Sequence, residues 1–227
     1  DAAFQIKDIN NLNDDEKDKI IKVMKAKDLD VYTNVSDTFY IFIQEDITPE
    51  EFKIKYPNFY SHFLPYRKRL ADRYSYNRMI PYWEFVFPRN QKLFERKEQK
   101  IFIPCKERIS KKKYFRFCFA QEEYYSTQDV TAIYKKRSTR ESLEYILAYL
   151  NSNIVFEWLG LNGIAKGDIV EFSEAPIASI PFKSINWESE KEVELHNYIT
   201  DNVKSYIQFK DVKFLKAIDN SFKTIFQ

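Results

Sequence analysis

Glycine is scarce in this chain. Three of its 227 residues are glycine, and all three, Gly160, Gly163 and Gly167, fall within one short stretch. Glycine adopts positive φ without strain, so the backbone elsewhere has little access to unusual turns. The spacing is not that of a nucleotide-binding loop, because these glycines follow a predicted helix rather than a strand. We interpret them as a helix end at Gly160 followed by a tight turn.

Residues that bind metals or act as nucleophiles are also few. Cys105 and Cys118 lie apart in apolar, β-like runs, and we expect both to be reduced core thiols. Together with two distant histidines, His62 and His196, they are too few for a zinc site. The sequence contains no G-x-S-x-G elbow, Walker loop, H-E-x-x-H or C-x-x-C motif. An autonomous enzyme with a cryptic site is therefore disfavoured, and no metal is expected.

Long apolar runs are absent too. No stretch is long enough to span a bilayer, and the start lacks a signal-peptide pattern. We therefore expect a cytoplasmic protein with no membrane partner. The chain begins Asp1-Ala2-Ala3-Phe4 without an initiator methionine, so we expect a segment of a longer protein.

Aromatic residues and unevenly distributed charge are what the chain does have. It holds 20 Phe and 16 Tyr, enough to build a full core without disulfides. The formal net charge of +2 hides a basic band, residues 61–140, with 20 basic and 8 acidic side chains. Residues 1–60 and 141–227 each hold 8 basic and 13 acidic side chains. A basic band with interleaved aromatics indicates a surface for a polyanion, although cations also coat ordinary solvent-facing positions.

Hydrophobic periodicity predicts a mixed α and β chain. A capping box at Ser138 and Glu141 predicts a long apolar-striped helix over about 139–158 as the central packing element. Pro65 should break a helix that runs over 58–74. Further helices are predicted over 13–28, from Pro49 and over 188–227, the last with an apolar seam that includes Val193, Ile199 and Val203. Strands are predicted over 38–44, 83–87, 100–104, 114–119, 125–134, 169–172 and 177–182. The fold class is α+β, with a curved mixed or antiparallel sheet packed on the central helix.

Seven segments in order carry a family resemblance. The chain resembles the C-terminal specificity, or target-recognition, region of TaqI-like DNA adenine-N6 methyltransferases, including those fused to type IIG restriction enzymes. The resemblance covers roughly residues 3–207. The matching segments are IIKVMKAKDLDVY (20–32), YPNFYSHFLPYRKRLADR (56–73), PYWE (81–84), KIFIP (100–104), YSTQDVTAI (125–133), YILAYLNS (145–152) and the segment 166–182, which ends SIPF.

The resemblance implies a function and a missing partner. Such methyltransferases carry their S-adenosylmethionine site and an Asn-Pro-Pro-Tyr catalytic motif in an upstream domain, and this sequence contains neither. The whole chain, 1–227, is then a specificity domain with a helical tail at about 188–227, without a catalytic residue or cofactor site. The expected partners are double-stranded DNA and a catalytic methyltransferase domain of the same polypeptide. Two alternatives stay open: a half-module of a type I specificity subunit, and a protein-docking module that uses the seam of the last helices.

Candidate DNA-contacting residues follow from side-chain chemistry. Cations in loops or at strand ends can reach phosphates, and those expected to do so are Lys106, Arg108, Lys111, Lys112, Lys113, Lys135, Lys136, Arg137 and Lys166. Base reading suits amides, carboxylates and guanidinium groups. The candidates for base reading are Gln128, Asp129, Arg116 and Tyr125, for which ordinary sheet packing is the alternative.

Overall fold

The computed structural model describes residues 2–110, 114–172 and 174–225. The chain divides into two compact units. The first unit comprises Asp1–Val23, Asp37–Arg96 and Glu123–Tyr125, and the second comprises Met24–Ser36, Lys97–Glu122 and Ser126–Gln227. Both units combine helices with antiparallel strands, which confirms the predicted α+β class.

The elements follow one another in a mixed order. In chain order they are β1 (Gln5–Ile6), α1 (Asp14–Lys17), β2 (Ile20–Met24), β3 (Thr38–Ile41), α2 (Pro49–Lys55), α3 (Pro57–Phe63), α4 (Arg67–Ala71), α5 (Gln91–Phe94), β4 (Lys100–Pro104), β5 (Lys106–Arg108), β6 (Cys118–Ala120), β7 (Tyr124–Ser126), β8 (Val130–Tyr134), α6 (Leu143–Leu150), α7 (Asn153–Asn162), β9 (Ile164–Lys166), β10 (Ile169–Glu171), α8 (Glu174–Ala178), α9 (Glu190–Phe209) and α10 (Val212–Ile225).

The N-terminal helix predicted over 13–28 is wrong beyond its first turn. Asn13 does cap α1, because its Oδ1 accepts the Glu16 N–H at 2.8 Å. The buried Glu16 carboxylate also accepts the Asn58 N–H at 2.7 Å, at the start of α3. The chain then extends as β2, which pairs antiparallel with β3 in a sheet of order β1-β3-β2-β7. Its β-branched residues favour the strand over the helix.

Aromatic side chains fill the core of the first unit. The Trp83 ring is buried and stacks on Phe52 at a centroid distance of 4.3 Å. The strand predicted over 83–87 is wrong, because the Arg73 guanidinium donates to the carbonyls of Pro81 and Glu84 and holds this segment as a loop. The predicted break at Pro65 is confirmed: it lies in a 3₁₀ turn (Leu64–Tyr66) between α3 and α4.

The central helix of the second unit is two helices rather than one. Helix α6 begins after Ser142, whose Oγ accepts the Tyr145 N–H at 3.0 Å. The predicted cap at Ser138 is wrong, because the Glu141 carboxylate turns inward and accepts the Ile185 N–H at 3.0 Å. The helix ends at Leu150, since the Asn151 side chain bonds both backbone groups of Phe117. Ser152 then caps α7, so the apolar stripe continues on a new helix.

Two three-stranded antiparallel sheets complete the second unit, with strand orders β6-β4-β8 and β5-β10-β9. The strand predicted over 114–119 is confined to β6, because the buried Phe115 and Phe117 precede it in irregular backbone. The strand predicted over 177–182 is wrong. That segment begins in α8 and contains Pro181, which has no N–H to donate to a sheet.

Helices α9 and α10 form where the C-terminal helices were expected. The seam on α9 is turned inward: Ile199 and Val203 are fully buried in the core that contains Leu147 of α6. The docking alternative required this seam to lie on the surface. Within the part of the chain that the structure describes, the seam instead stabilises the second unit.

Cap replacement tests the start of α6. Ser142→Ala should lower the free energy of unfolding by about 1–2 kcal/mol, because it removes the cap and leaves the buried Thr200 hydroxyl, 2.7 Å from Ser142 Oγ, without that partner. The measurement is urea denaturation. Ser138→Ala is the matched control and should change stability by less than about 0.5 kcal/mol. Equal losses in both variants would contradict the assigned helix start.

The glycine-rich stretch builds the junction between α7 and the β9–β10 hairpin. Gly160 lies inside α7 rather than at its end, and the cap is Gly163. A Cβ at Gly163 would lie 2.4 Å from the Leu159 carbonyl oxygen and 3.1 Å from Val170 Cγ1. Gly167 has φ of +64° in the hairpin turn. The expectation of a helix end followed by a tight turn is therefore confirmed, with the end two residues later.

The two neighbouring glycines should respond oppositely to alanine. Gly163→Ala should destabilise the chain by about 1–3 kcal/mol, because the backbone carbonyl of Leu159 cannot move aside. Gly160→Ala should stabilise it by up to about 1 kcal/mol, since an added Cβ there has no neighbour within 4 Å and alanine favours the helix. Denaturant midpoints measure both. A stabilised Gly163→Ala variant would show that the junction is not as close as described.

Candidate nucleic-acid interface

The exposed face of the β5-β10-β9 sheet gathers three predicted phosphate contacts. Lys106 lies opposite Glu171, and Arg108 lies opposite Ile169, which in turn lies opposite Lys166. Directly opposed residues of antiparallel strands share a face. Lys106, Arg108 and Lys166 therefore form one surface, which we name the basic face. The alternate residues Glu107 and Val170 are buried on the other side.

Two acidic residues form ion pairs with cations of the basic face and so lower its positive charge. Arg108 Nε lies 3.5 Å from Asp168 Oδ2, and Lys166 Nζ lies 3.0 Å from Glu171 Oε1. The Arg108 and Lys166 side chains are 67% and 71% exposed, so these pairs are weak and their cations remain available to an anion in solution. Sequence reasoning missed both acids. The signal for them was the hairpin turn at Gly167-Asp168, which brings the ends of two short strands together.

The β7–β8 turn brings two predicted base readers close to Lys106. The Cys105 N–H donates to the Asp129 carbonyl at 2.8 Å, one residue before Lys106. Gln128 is exposed, and its side-chain amide makes no hydrogen bond to any residue that the structure describes. The Asp129 carboxylate is engaged by the Ala26 N–H at 3.2 Å and by the Thr127 hydroxyl. Gln128 is therefore the turn residue whose polar group is free for a ligand.

The other two predicted base readers have partners inside their own units. Arg116 donates from Nε to the buried Glu107 carboxylate at 2.8 Å and from a terminal nitrogen to the Leu29 carbonyl at 3.1 Å. Tyr125 lies on β7 of the first unit, where its ring packs against Phe42 and Phe94. Burial raises the pKa of the Tyr125 hydroxyl above its usual value, which keeps that group neutral and a hydrogen-bond donor.

A second group of predicted cations lies away from the basic face. Lys135, Lys136 and Arg137 are exposed and follow the end of β8 that pairs with Lys100. Gln128 precedes the opposite end of that strand, roughly 13 Å away at about 3.3 Å per residue. Lys111, Lys112 and Lys113 lie outside the described residues, shortly after β5.

Metal-binding groups and reactive thiols are two features by which a catalytic site could be recognised. The residues that the structure describes bring together no group of three His, Cys, Asp or Glu side chains that could hold a metal ion. Cys118 is buried, and its burial raises the pKa of the thiol to about 12. Across the described ranges, no helix is both long and apolar enough to cross a membrane.

Known proteins are similar to this sequence over nearly its whole length. The chain is 48% identical over 219 residues to the type II methyltransferase M.HindII of Haemophilus influenzae, and 47% identical over 219 residues to M.HincII of the same species. Each match covers 96% of this chain but 42% and 43% of the relatives, so the chain spans about two fifths of their length. The type II methyltransferase M.MjaIV of Methanocaldococcus jannaschii is 28% identical over 222 residues, which cover 95% of this chain and 72% of that relative.

A solved structure shares the fold. The type IIL restriction-modification enzyme MmeI, determined in complex with DNA, matches 99% of this chain and 31% of its own with a TM-score of 0.66 and 10% identity. At that identity the likeness establishes the fold alone. The family model described as the TaqI-like C-terminal specificity domain matches residues 21–182, well over half of the chain. Together with the relatives among type II methyltransferases, this match shows that the chain belongs to the family of TaqI-like C-terminal specificity domains.

Proposed function

We propose that this chain binds duplex DNA in a sequence-specific manner as the target-recognition part of a restriction-modification adenine-N6 methyltransferase. The observation that carries the proposal is the basic face, which gathers Lys106, Arg108 and Lys166 beside the free amide of Gln128. Phosphate contacts set the register of a protein on DNA, and amides can read adenine in the major groove. A basic face beside a free amide offers both.

The proposal divides the work among the candidate residues. We expect the basic face to bind phosphates first. The further candidates for phosphate binding are Lys111, Lys112 and Lys113, which follow β5 in sequence, and the separate group of Lys135, Lys136 and Arg137. Base reading falls first to Gln128. Asp129, Arg116 and Tyr125 come after Gln128 as candidates for base reading, because their polar or aromatic groups already contact residues of the same unit.

The chemistry belongs to another part of the polypeptide under this proposal. The chain spans about two fifths of two relatives that are named as methyltransferases. An upstream domain would then bind S-adenosylmethionine, take the target adenine out of the helix and methylate its exocyclic amine. The chain itself would bind no cofactor. A protein that acts on chromosomal DNA would work in the cytoplasm of a prokaryotic cell.

Salt dependence tests the DNA contact. The chain should bind a short fluorescein-labelled duplex more weakly as salt rises from about 50 to 200 mM NaCl, because phosphate neutralisation releases counterions. The logarithm of the association constant should fall linearly with the logarithm of the salt concentration. Replacing Lys106, Arg108 and Lys166 with Gln should weaken binding to all sequences and reduce the salt slope by about 0.9 for each phosphate that is no longer neutralised. Fluorescence anisotropy measures both quantities.

A charge-matched control separates local contact from net charge. Lys191, Lys204 and Lys216 are exposed on α9 and α10 and form no ion pair with a described residue. Replacing these three with Gln changes the net charge equally and should leave the slope near that of the wild type. Equal losses of affinity from both triple variants, or binding that does not depend on salt, would remove the basic face from the interface.

Gln128→Ala should alter the preference between DNA sequences while leaving the salt slope unchanged.

A further inference from the structure

The first unit carries an exposed apolar loop that the site above does not include. Between α4 and the buried Trp83, residues 74–79 project into solvent. Tyr74, Tyr76 and Met79 are 72%, 58% and 101% exposed, and the rings of Tyr74 and Tyr76 lie 4.7 Å apart. Large apolar side chains that cluster on a surface mark an interaction site rather than ordinary exposure. We name this segment the 74–79 loop.

The loop is held in shape by its own backbone and by two arginines. Arg73 donates to the carbonyls of Pro81 and Glu84 at 2.9 and 2.5 Å, and Arg78 donates to the Val86 carbonyl at 2.6 Å. At the tip, Tyr76 and Asn77 have φ of +55° and +58°. A bulky residue with positive φ costs free energy, and such strain persists where the surrounding contacts impose it. The apolar tip is therefore presented in a defined conformation.

Four exposed cations without an acidic partner among the described residues lie in or just before the 74–79 loop in sequence. Arg67, Lys68 and Arg69 are exposed on α4, just before the loop, and Arg78 lies within it. None of these four forms an ion pair with an acidic residue in the described part of the chain. They differ in this respect from Arg108 and Lys166 of the basic face, each of which has an acidic neighbour.

We propose that the 74–79 loop is a second DNA-contacting element, in which Tyr76 and Met79 enter a groove and contact bases while the cations of α4 hold the flanking phosphates. This inference rests on the proposed function and extends it to a part of the first unit. Stacking of aromatic rings on bases and insertion of apolar wedges such as methionine are general means of binding nucleic acid. The run of three exposed cations on α4 favours DNA as the occupant, because each cation that meets a phosphate releases counterions.

Two variants separate the apolar contact from the ionic one. Replacing Tyr74, Tyr76 and Met79 with Ala should weaken duplex binding at least about fivefold with an unchanged salt slope, because stacking releases no counterions. Replacing Arg67, Lys68 and Arg69 with Gln should reduce the slope. The control replaces Ile54 and Val212, which are 81% and 58% exposed, with Ala and should bind like the wild type. Fluorescence anisotropy of the 227-residue chain reports each result, and thermal melting checks that each variant is folded.

Photochemical cross-linking gives a direct readout. Irradiation of the chain on a duplex that contains 5-bromodeoxyuridine should place an adduct on Tyr76 or Met79, identified by mass spectrometry of the peptides. If the loop variant binds like the wild type and no adduct forms there, while the basic-face variant loses affinity, the inference is overturned and the proposed function stands. The apolar tip would then cover a protein surface. A wild-type chain that binds no duplex at all would overturn the proposed function itself.

Discussion

The buried helix α6 is the element on which the second unit depends. Its inward side chains, among them Tyr145 and Leu147, are fully buried, and burial raises the pKa of the Tyr145 hydroxyl far above its usual value. A neutral tyrosine hydroxyl in such a core needs an acceptor. The Tyr145 hydroxyl donates to the Lys183 carbonyl at 3.1 Å, and the Tyr149 hydroxyl donates to the Pro181 carbonyl. Because both tyrosines point out of one helix face, α6 fixes the irregular segment that follows α8.

Helix α7, which follows α6, connects the core to the basic face. Gly163 joins the end of α7 to β9, and the Phe172 ring after β10 lies 4.6 Å from Phe115 in the buried cluster. Val170, between these points, is fully buried beneath the outer face of the hairpin. The strands that carry Lys106, Arg108 and Lys166 are thus anchored from below. Sites built on anchored strands hold their geometry better than sites on loops. Such rigidity would suit the proposed phosphate contacts, which set the register of a protein on a duplex.

Local pattern predicted some elements well and others badly, and the difference has physical causes. Strand β4 and the helices from Pro49 and Glu190 formed where apolar period and caps indicated. Ser138 does not cap the helix, because the Glu141 carboxylate accepts the N–H of Ile185 instead. Ile185 lies 44 residues away in sequence, so no local pattern reveals this contact. Ile20 and Ile21 fit a helical stripe as well as a strand, and pairing with β3 decided the outcome.

The candidate site shows the same limit, because the resemblance and the charge pattern could not say which cations share a face. That depends on the register between β5, β10 and β9, which places Arg108 near Lys166 although the two lie far apart in sequence.

The core and the proposed recognition surface draw on different residues, and this separation has a consequence for specificity. Gln128 and the 74–79 loop lie on the surface, and neither contributes a buried side chain. Substitutions at exposed positions away from caps and networks change stability by about 0.5 kcal/mol or less. The contacts that would choose a DNA sequence can therefore change while α6 and its partners remain as they are. Asp129 is the exception, because its carboxylate accepts hydrogen bonds from the Ala26 N–H and from the Thr127 hydroxyl. Change at that position would disturb the turn that presents Gln128, so Gln128 can vary more freely than the residue beside it.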